Sequence, residues 1–261
     1  MARFQLTIEY DGGPFWGWQR VGEDRMTVQR ALEEALERLF GVAVPVTGAG
    51  RTDAGVHAAG QVAHLDAPRP IAAFRLSEAM NAQLRPHPVA VIGCVEVSET
   101  FHARFSATQR VYRYTIVNRR ADLTLERGFA WRVGRSLDSE AMHAAAQELT
   151  GRHDFSTFRD AQCQASSPLR TLDRIAVTRS GDHLLVDVAA RSFLHRQVRS
   201  MVGSLVEVGV GKWSAAELKR RLDARDRAQC GPVAPAAGLS LMQVLYDGAA
   251  AVEDADEKSG P

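Results

Sequence analysis

The chain has 261 residues, 45% of them hydrophobic and 24% charged, and 32 Lys and Arg against 31 Asp and Glu leave a formal charge of +1. That composition excludes a disordered, fibrous or disulfide-stapled protein, and the length suffices for one large domain or two small ones with a packed core. Taken as a bulk figure, +1 also argues against a nucleic-acid binder.

Phe4, Leu6, Ile8 and Tyr10 alternate with Arg3, Gln5, Thr7 and Glu9, the period-two pattern of a half-buried strand, which Asp11-Gly12-Gly13-Pro14 breaks. From Thr27 the period changes. Val28, Leu32, Ala35, Leu36 and Leu39 share one helical face, Thr27 is placed to cap it, and Glu33, Glu34, Glu37 and Arg38 point to water. Short β-like runs at 42–47 and 62–65 flank a glycine-rich connection over 48–60, and a helix near 72–83 with a strand at 89–97 completes a βαββαβ order. The second half repeats this order loosely: a strand at 110–117 with Tyr112, Tyr114 and Ile116 on one face, a helix at 139–149 capped near Asp138, and a hairpin of strands at 174–179 and 184–190. A long helix burying Val198, Met201, Val202, Leu205 and Val206, a shorter one near 215–222 and a last strand at 241–246 follow. The expected fold is α+β, with two similar halves, 1–106 and 107–246, each a mostly antiparallel sheet with helices on one side. An acidic tail, 247–261, is expected to be disordered.

Cys94, Cys163 and Cys230 are odd in number, far apart and outside any CxxC pair, so a reduced, cytoplasmic chain is expected. The N-terminus lacks the basic start and apolar core of a signal peptide, and no apolar run approaches the roughly 20 residues of a membrane span. The histidines show no HExxH or close ligand spacing, so no metal site is expected.

The most unusual stretch is Gly48-Ala49-Gly50-Arg51-Thr52-Asp53-Ala54-Gly55-Val56-His57. Its Gly-x-Gly has the wrong spacing for a dinucleotide or phosphate fingerprint, and no helical pattern follows. On its own the loop also reads as a tight turn in which Asp53 caps backbone amides and pairs with Arg51.

Gly-Arg-Thr-Asp-Ala-Gly-Val-His over 50–57 resembles the signature of the tRNA pseudouridine synthase A family. Similar segments lie, in order, at Tyr10-Asp11-Gly12 with Phe15-x-Gly-x-Gln19, at Gly60-Gln61-Val62, at 101–107 (Phe-His-Ala-Arg-Phe-Ser-Ala), at 110–114 and at 193–199 (Phe-Leu-His-Arg-Gln-Val-Arg). The resemblance runs from about residue 3 to residue 246. It implies the pseudouridine synthase fold, two α/β halves joined into one extended sheet flanked by helices. It also implies isomerisation of uridine to pseudouridine at positions 38, 39 and 40 of the tRNA anticodon stem-loop, with no cofactor or metal, by a homodimer.

By the same resemblance Asp53 is the nucleophile, and a carboxylate suits that role because its covalent adduct is reversible. Sequence leaves open whether it attacks the uracil ring or the ribose C1′. Arg199 is the candidate partner that keeps Asp53 ionised. Arg51 matches the arginine that fills the stack when the uridine is flipped out. Tyr112 matches the substrate-contacting tyrosine, able to support the base and relay a proton, whereas Tyr114 reads more readily as core. His57, Arg104 and Arg110 are further candidate contacts to the RNA. Val111 stands where relatives often carry a basic residue, which weakens a phosphate contact without touching the chemistry.

Two rivals stay open at this level: a non-catalytic RNA-binding module of the same fold, and a related isomerase acting on another RNA. A pure binder has no use for a carboxylate facing phosphates, which favours catalysis. The charge balance fits an RNA substrate once it is divided along the chain. Residues 247–261 hold five acids and one Lys, residues 1–246 carry 31 basic against 26 acidic, and residues 104–135 carry eight Arg against two acids. Arginine supplies 29 of the 32 basic side chains, and its flat fork suits phosphate and stacking contacts.

Overall fold

A computed structural model describes residues 2–22 and 24–247. Apart from Asp247, the acidic tail expected over 247–261 lies outside the described residues.

The strands are β1 (Arg3–Tyr10), β2 (Thr47–Gly48), β3 (His57–Asp66), β4 (Val89–Val97), β5 (Ala107–Val117), β6 (Trp131–Arg132), β7 (Gly151–Asp154), β8 (Leu169–Ser180), β9 (His183–Ala190) and β10 (Leu239–Tyr246). The helices are α1 (Val28–Phe40), α2 (Ala73–Leu84), α3 (Ser139–Gln147), α4 (Gln197–Gly209) and α5 (Ala215–Ala224). All strands join one sheet in the order β4-β1-β3-β10-β5-β9-β8-β7, with β2 beside β3 and β6 beside β5. Pairing is antiparallel except at β3–β10 and β5–β6. This is the extended, mostly antiparallel, helix-flanked sheet that the resemblance implies.

Local chemistry accounts for most boundaries. The alternation in β1 buries Phe4, Leu6, Ile8 and Tyr10. Helix α1 starts where the Thr27 hydroxyl accepts from the Arg30 N–H, and it stops at Gly41, whose φ of 73° suits a residue without Cβ. Asp138 caps α3 by accepting from the N–H groups of Glu140 and Ala141. Strands β8 and β9 pair through a two-residue turn, Ser180 opposite His183.

Strands β6 and β7 have no counterpart among the expected elements and β8 starts at Leu169 rather than Arg174, and two segments of the first half also differ from expectation. Of the β-like run at 42–47 only Thr47 joins the sheet, because side chains of α1 satisfy the backbone at Val46: its N–H donates to Glu33 Oε1 (3.2 Å) and its carbonyl accepts from Gln29 Nε2 (3.1 Å). Strand β3, in turn, begins at His57 rather than Val62. Its Ala-Ala-Gly start has no amphipathic alternation to read, but it lies against β10, where a Cβ on Gly60 would sit 2.4 Å from the Met242 carbonyl oxygen.

The last strand decides the architecture. β10 enters between β3 and β5, parallel to the first (Ser240 opposite His57, Leu241 opposite Ala58) and antiparallel to the second. The chain's C-terminal strand thereby closes the seam between strands from its first hundred residues and those that follow, directly beside the loop that precedes β3.

Candidate active site

The loop between β2 and β3 is pinned from several directions. The Ala49 N–H donates to Val62 O (2.7 Å), Gln61 Nε2 to Gly50 O (2.8 Å) and the Trp18 N–H to Thr52 O (3.0 Å), while the buried Tyr10 hydroxyl bonds the Thr52 hydroxyl (2.8 Å). Gly17 allows the close approach to Thr52: it has φ 88°, and a Cβ there would lie 2.6 Å from the Thr52 carbonyl oxygen. A tight turn, the Val56 N–H to Asp53 O at 3.1 Å with Gly55 at φ 77°, then aims the Asp53 side chain. So many backbone constraints leave the Asp53 backbone little freedom to lose on binding.

Asp53 is one-fifth exposed, and its two oxygens face different cations. Arg199 Nη1 donates to Oδ2 at 2.9 Å, and His195 Nε2 lies 3.3 Å from Oδ1. Arg199, in the first turn of α4, is itself clamped: its Nε donates to Ala234 O (2.8 Å) and its carbonyl accepts from the Ala234 N–H (3.1 Å). Burial pushes the Asp53 carboxyl up, but His195 and Arg199 outweigh it and hold the group below the usual carboxylate range. His195 is shifted upward, chiefly by Asp53 and against burial. Behind it, Asp160 Oδ1 is 3.6 Å from His195 Nδ1, and Asp160 Oδ2 accepts from Arg196 Nη1 (3.1 Å). The imidazole thus sits between two carboxylates, both held ionised.

The other sequence-predicted residues fall into three groups. Tyr112, 8% exposed, lies edge-on to Phe193 with ring centroids 5.3 Å apart. Burial, reinforced by Tyr10 and by the charge of Asp53, keeps its phenol protonated well above the usual range. Tyr10, pushed up to about 12 by burial, is also neutral. Arg51 and Arg104 are exposed, and among the described residues Arg51 is tethered only through Nη1 to Gln164 Oε1 (3.1 Å). His57 and Arg110 face inward. His57, 4% exposed, accepts at Nδ1 from the Gly12 N–H (3.0 Å), donates from Nε2 to Gly128 O (2.8 Å) and stacks on Phe129 at 4.6 Å. Arg110, 7% exposed, donates to the carbonyls of Ala49, Arg104, Ala107 and Arg191. Tyr114 is fully buried and donates to Pro235 O (2.8 Å), the core position expected for it.

Sequence reasoning assigned neither His195, beside the Asp53 carboxylate, nor Asp160, on the far side of that imidazole, to the site. For His195 a signal existed, since it lies four residues before Arg199 in the Phe-Leu-His-Arg-Gln-Val-Arg run. Asp160 had none. It stands in an irregular stretch after β7 and reaches the site because its N–H donates to the His195 carbonyl (3.1 Å). Among the described residues, no three His, Cys, Asp or Glu side chains are disposed to hold a metal ion, and no helix is long and apolar enough to cross a membrane.

Comparison with known proteins gives the family. A family model described as tRNA pseudouridine synthase matches residues 6–106 and 145–247. The tRNA pseudouridine synthase A of Maricaulis maris is 61% identical over 250 residues, covering 96% of this chain and 100% of that one. The enzyme of the same name from Xanthobacter autotrophicus is 60% identical over 246 residues, covering 94% and 100%. A solved Cbf5-Nop10-Gar1 complex aligns at TM-score 0.39 and 10% identity over 79% of this chain and 45% of that one, too loosely to bear on fold or chemistry. With a family match over most of its length and relatives at this identity, the chain belongs to the tRNA pseudouridine synthase A family of isomerases.

Proposed function

We propose that this protein converts uridine to pseudouridine at positions 38, 39 and 40 of the tRNA anticodon stem-loop, with Asp53 as nucleophile. The observation that carries the reading is the Asp53 carboxylate, held ionised between Arg199 and His195 in a loop fixed by backbone hydrogen bonds. A nucleophile must be charged and aimed before substrate arrives, and both conditions are met without a cofactor.

In this reading the target base leaves its stack, and Arg51, tethered by one surface hydrogen bond, moves into the space it vacates. Asp53 forms a covalent adduct as the bond between uracil N1 and ribose C1′ breaks. The ring turns, C5 bonds to C1′, and Asp53 leaves as the free carboxylate. The proton left on C5 passes to the Tyr112 oxygen as the phenol gives its own to water, and uracil N1, which kept the electron pair of the broken bond, takes a proton from water. A phenol kept neutral by burial relays a proton in this way rather than acting as a resting phenolate base. His57 and Arg110 act from behind, holding the loop, and Arg104 meets the RNA backbone. The working unit is a cytoplasmic homodimer, and light scattering that finds only monomer in the presence of tRNA removes that part.

Mapping pseudouridine in tRNA incubated with the protein, with Asp53→Asn as control, tests the reading. Modification of the anticodon arm by the wild type alone is expected. Turnover by Asp53→Asn overturns the nucleophile, and modification confined to another RNA region overturns the positions.

A further inference from the structure

Arg104, Phe105, Ala107, Arg110, Arg191 and Ser192 line a cavity of about 190 Å³ beside the Asp53 loop. Phe105 is 70% exposed at its mouth. An exposed phenylalanine is ordinary when it stands on a mobile tip, but this one is held rigidly. The N–H groups of Arg104 and Phe105 donate to His102 Nδ1 (3.2 and 3.3 Å), that of His102 donates to Ser106 Oγ (3.0 Å), and that of Ser106 to His102 O (2.9 Å). Arg110 fastens the turn from below through the Arg104 and Ala107 carbonyls.

One face of the Phe105 ring is also supported. Its centroid is 4.3 Å from His102, and His102 is 4.8 Å from the buried ring of His64. Phe105 therefore ends a row of three rings and is largely exposed to solvent. The exposed Arg104 and Arg191 line the same cavity, and neither has an ion-pair partner among the described residues; the Arg104 guanidinium lies over the Phe105 ring, 5.7 Å from its centroid, where an incoming base would displace it toward the phosphate. A preorganised, largely exposed ring with guanidiniums at hand is the combination that binds an unstacked nucleotide, base on ring and phosphate on cation.

The cavity is also within reach of the chemistry. The Arg110 guanidinium touches the carbonyls of Ala49, Arg104 and Arg191 together (2.7, 2.8 and 2.6 Å). Ala49 is four residues from Asp53, a span of at most about 14 Å even if extended. On the reading that Asp53 attacks a flipped uridine, we propose that Phe105, with Arg104 and Arg191, forms a second base-stacking subsite for an unpaired nucleotide flanking the target. The subsite accepts any base, because stacking reads the π-face and not the hydrogen-bonding edge.

The test measures binding of an anticodon-arm hairpin to Phe105→Ala, Phe105→Leu and Phe105→Trp in the full chain carrying Asp53→Asn, together with kcat/KM of the same substitutions in the active enzyme. Thermal unfolding checks that each variant is folded. Phe105→Ala and Phe105→Leu are each expected to bind about tenfold more weakly, whereas Phe105→Trp restores affinity and its indole fluorescence is quenched by the bound base. Wild-type affinity in Phe105→Ala, or in Phe105→Leu, which fills space without a ring, overturns the subsite and leaves the catalytic reading intact. A wild type that forms no pseudouridine in tRNA overturns both.

Discussion

His195 Nε2 lies 3.3 Å from Asp53 Oδ1, on the oxygen that Arg199 leaves free, so the carboxylate is held by one permanent cation and one titratable cation. Asp53 is held below the usual carboxylate range and His195 above the usual imidazole range, and the pair is fully charged between them. A lowered acid contributes stability above its unfolded value of 3.8, lost as pH falls through its folded value; a raised base contributes below 6.5, lost as pH rises through its folded value. The stability difference between wild type and His195→Gln is therefore expected to be largest between pH 3.8 and 6.5 and to shrink as pH rises through the raised folded value of His195. Paired thermal or urea unfolding across pH checks this, and a difference that grows at high pH refutes it.

Arg199→Ala removes the permanent cation, whose Nη1 donates to Asp53 Oδ2 at 2.9 Å. A hydrogen bond to a charged group contributes about 1.5–3 kcal/mol, so kcat is expected to fall roughly 10- to 100-fold, because each 1.36 kcal/mol is a factor of about ten. The acid limb of the pH–rate profile should also move upward as Asp53 loses its cation. A fall in kcat with an unmoved acid limb would mean that Arg199 acts only through the fold.

Arg51→Ala should distinguish extrusion from chemistry. Its side chain is exposed and, among the described residues, hydrogen-bonds only Gln164, so the fold loses little. Turnover on a stable stem-loop is expected to drop by more than on a hairpin whose target uridine is already mismatched, since a mismatched base costs least to unstack. Equal losses on both substrates would remove the flipping role.

Arg110→Met tests the scaffold. The native guanidinium satisfies four carbonyls from three chain segments, and the substitution leaves them without that donor. A loss of about 3 kcal/mol is expected, which for a chain of this size lowers Tm by roughly 8 °C. Calorimetry giving a Tm within a degree of wild type would show that water replaces the arginine at no cost.

Periodicity alone carried β1 and α1, since each buries one regular face, and α1 is bounded by Thr27 and Gly41, each with its own local reason to start or stop a helix. The ordered motifs carried the family and singled out Asp53, Arg51, Tyr112 and Arg199. Periodicity could not give the β10 insertion, which depends on a strand more than 170 residues from β3 in the chain. Nor could it show that Val46 bonds to the side chains of α1, or that Asp160 stands behind His195. Those relationships arise from packing between distant segments, which leaves no periodic trace. For the same reason Arg104 and Arg110, both basic candidates on one short stretch, separate only in three dimensions: one guanidinium is exposed beside Phe105, and the other is buried among carbonyls. The sequence by itself determined the chemistry that this chain carries; the tertiary structure decided which charges meet, because burial and proximity set ionisation and neither is written in the order of residues.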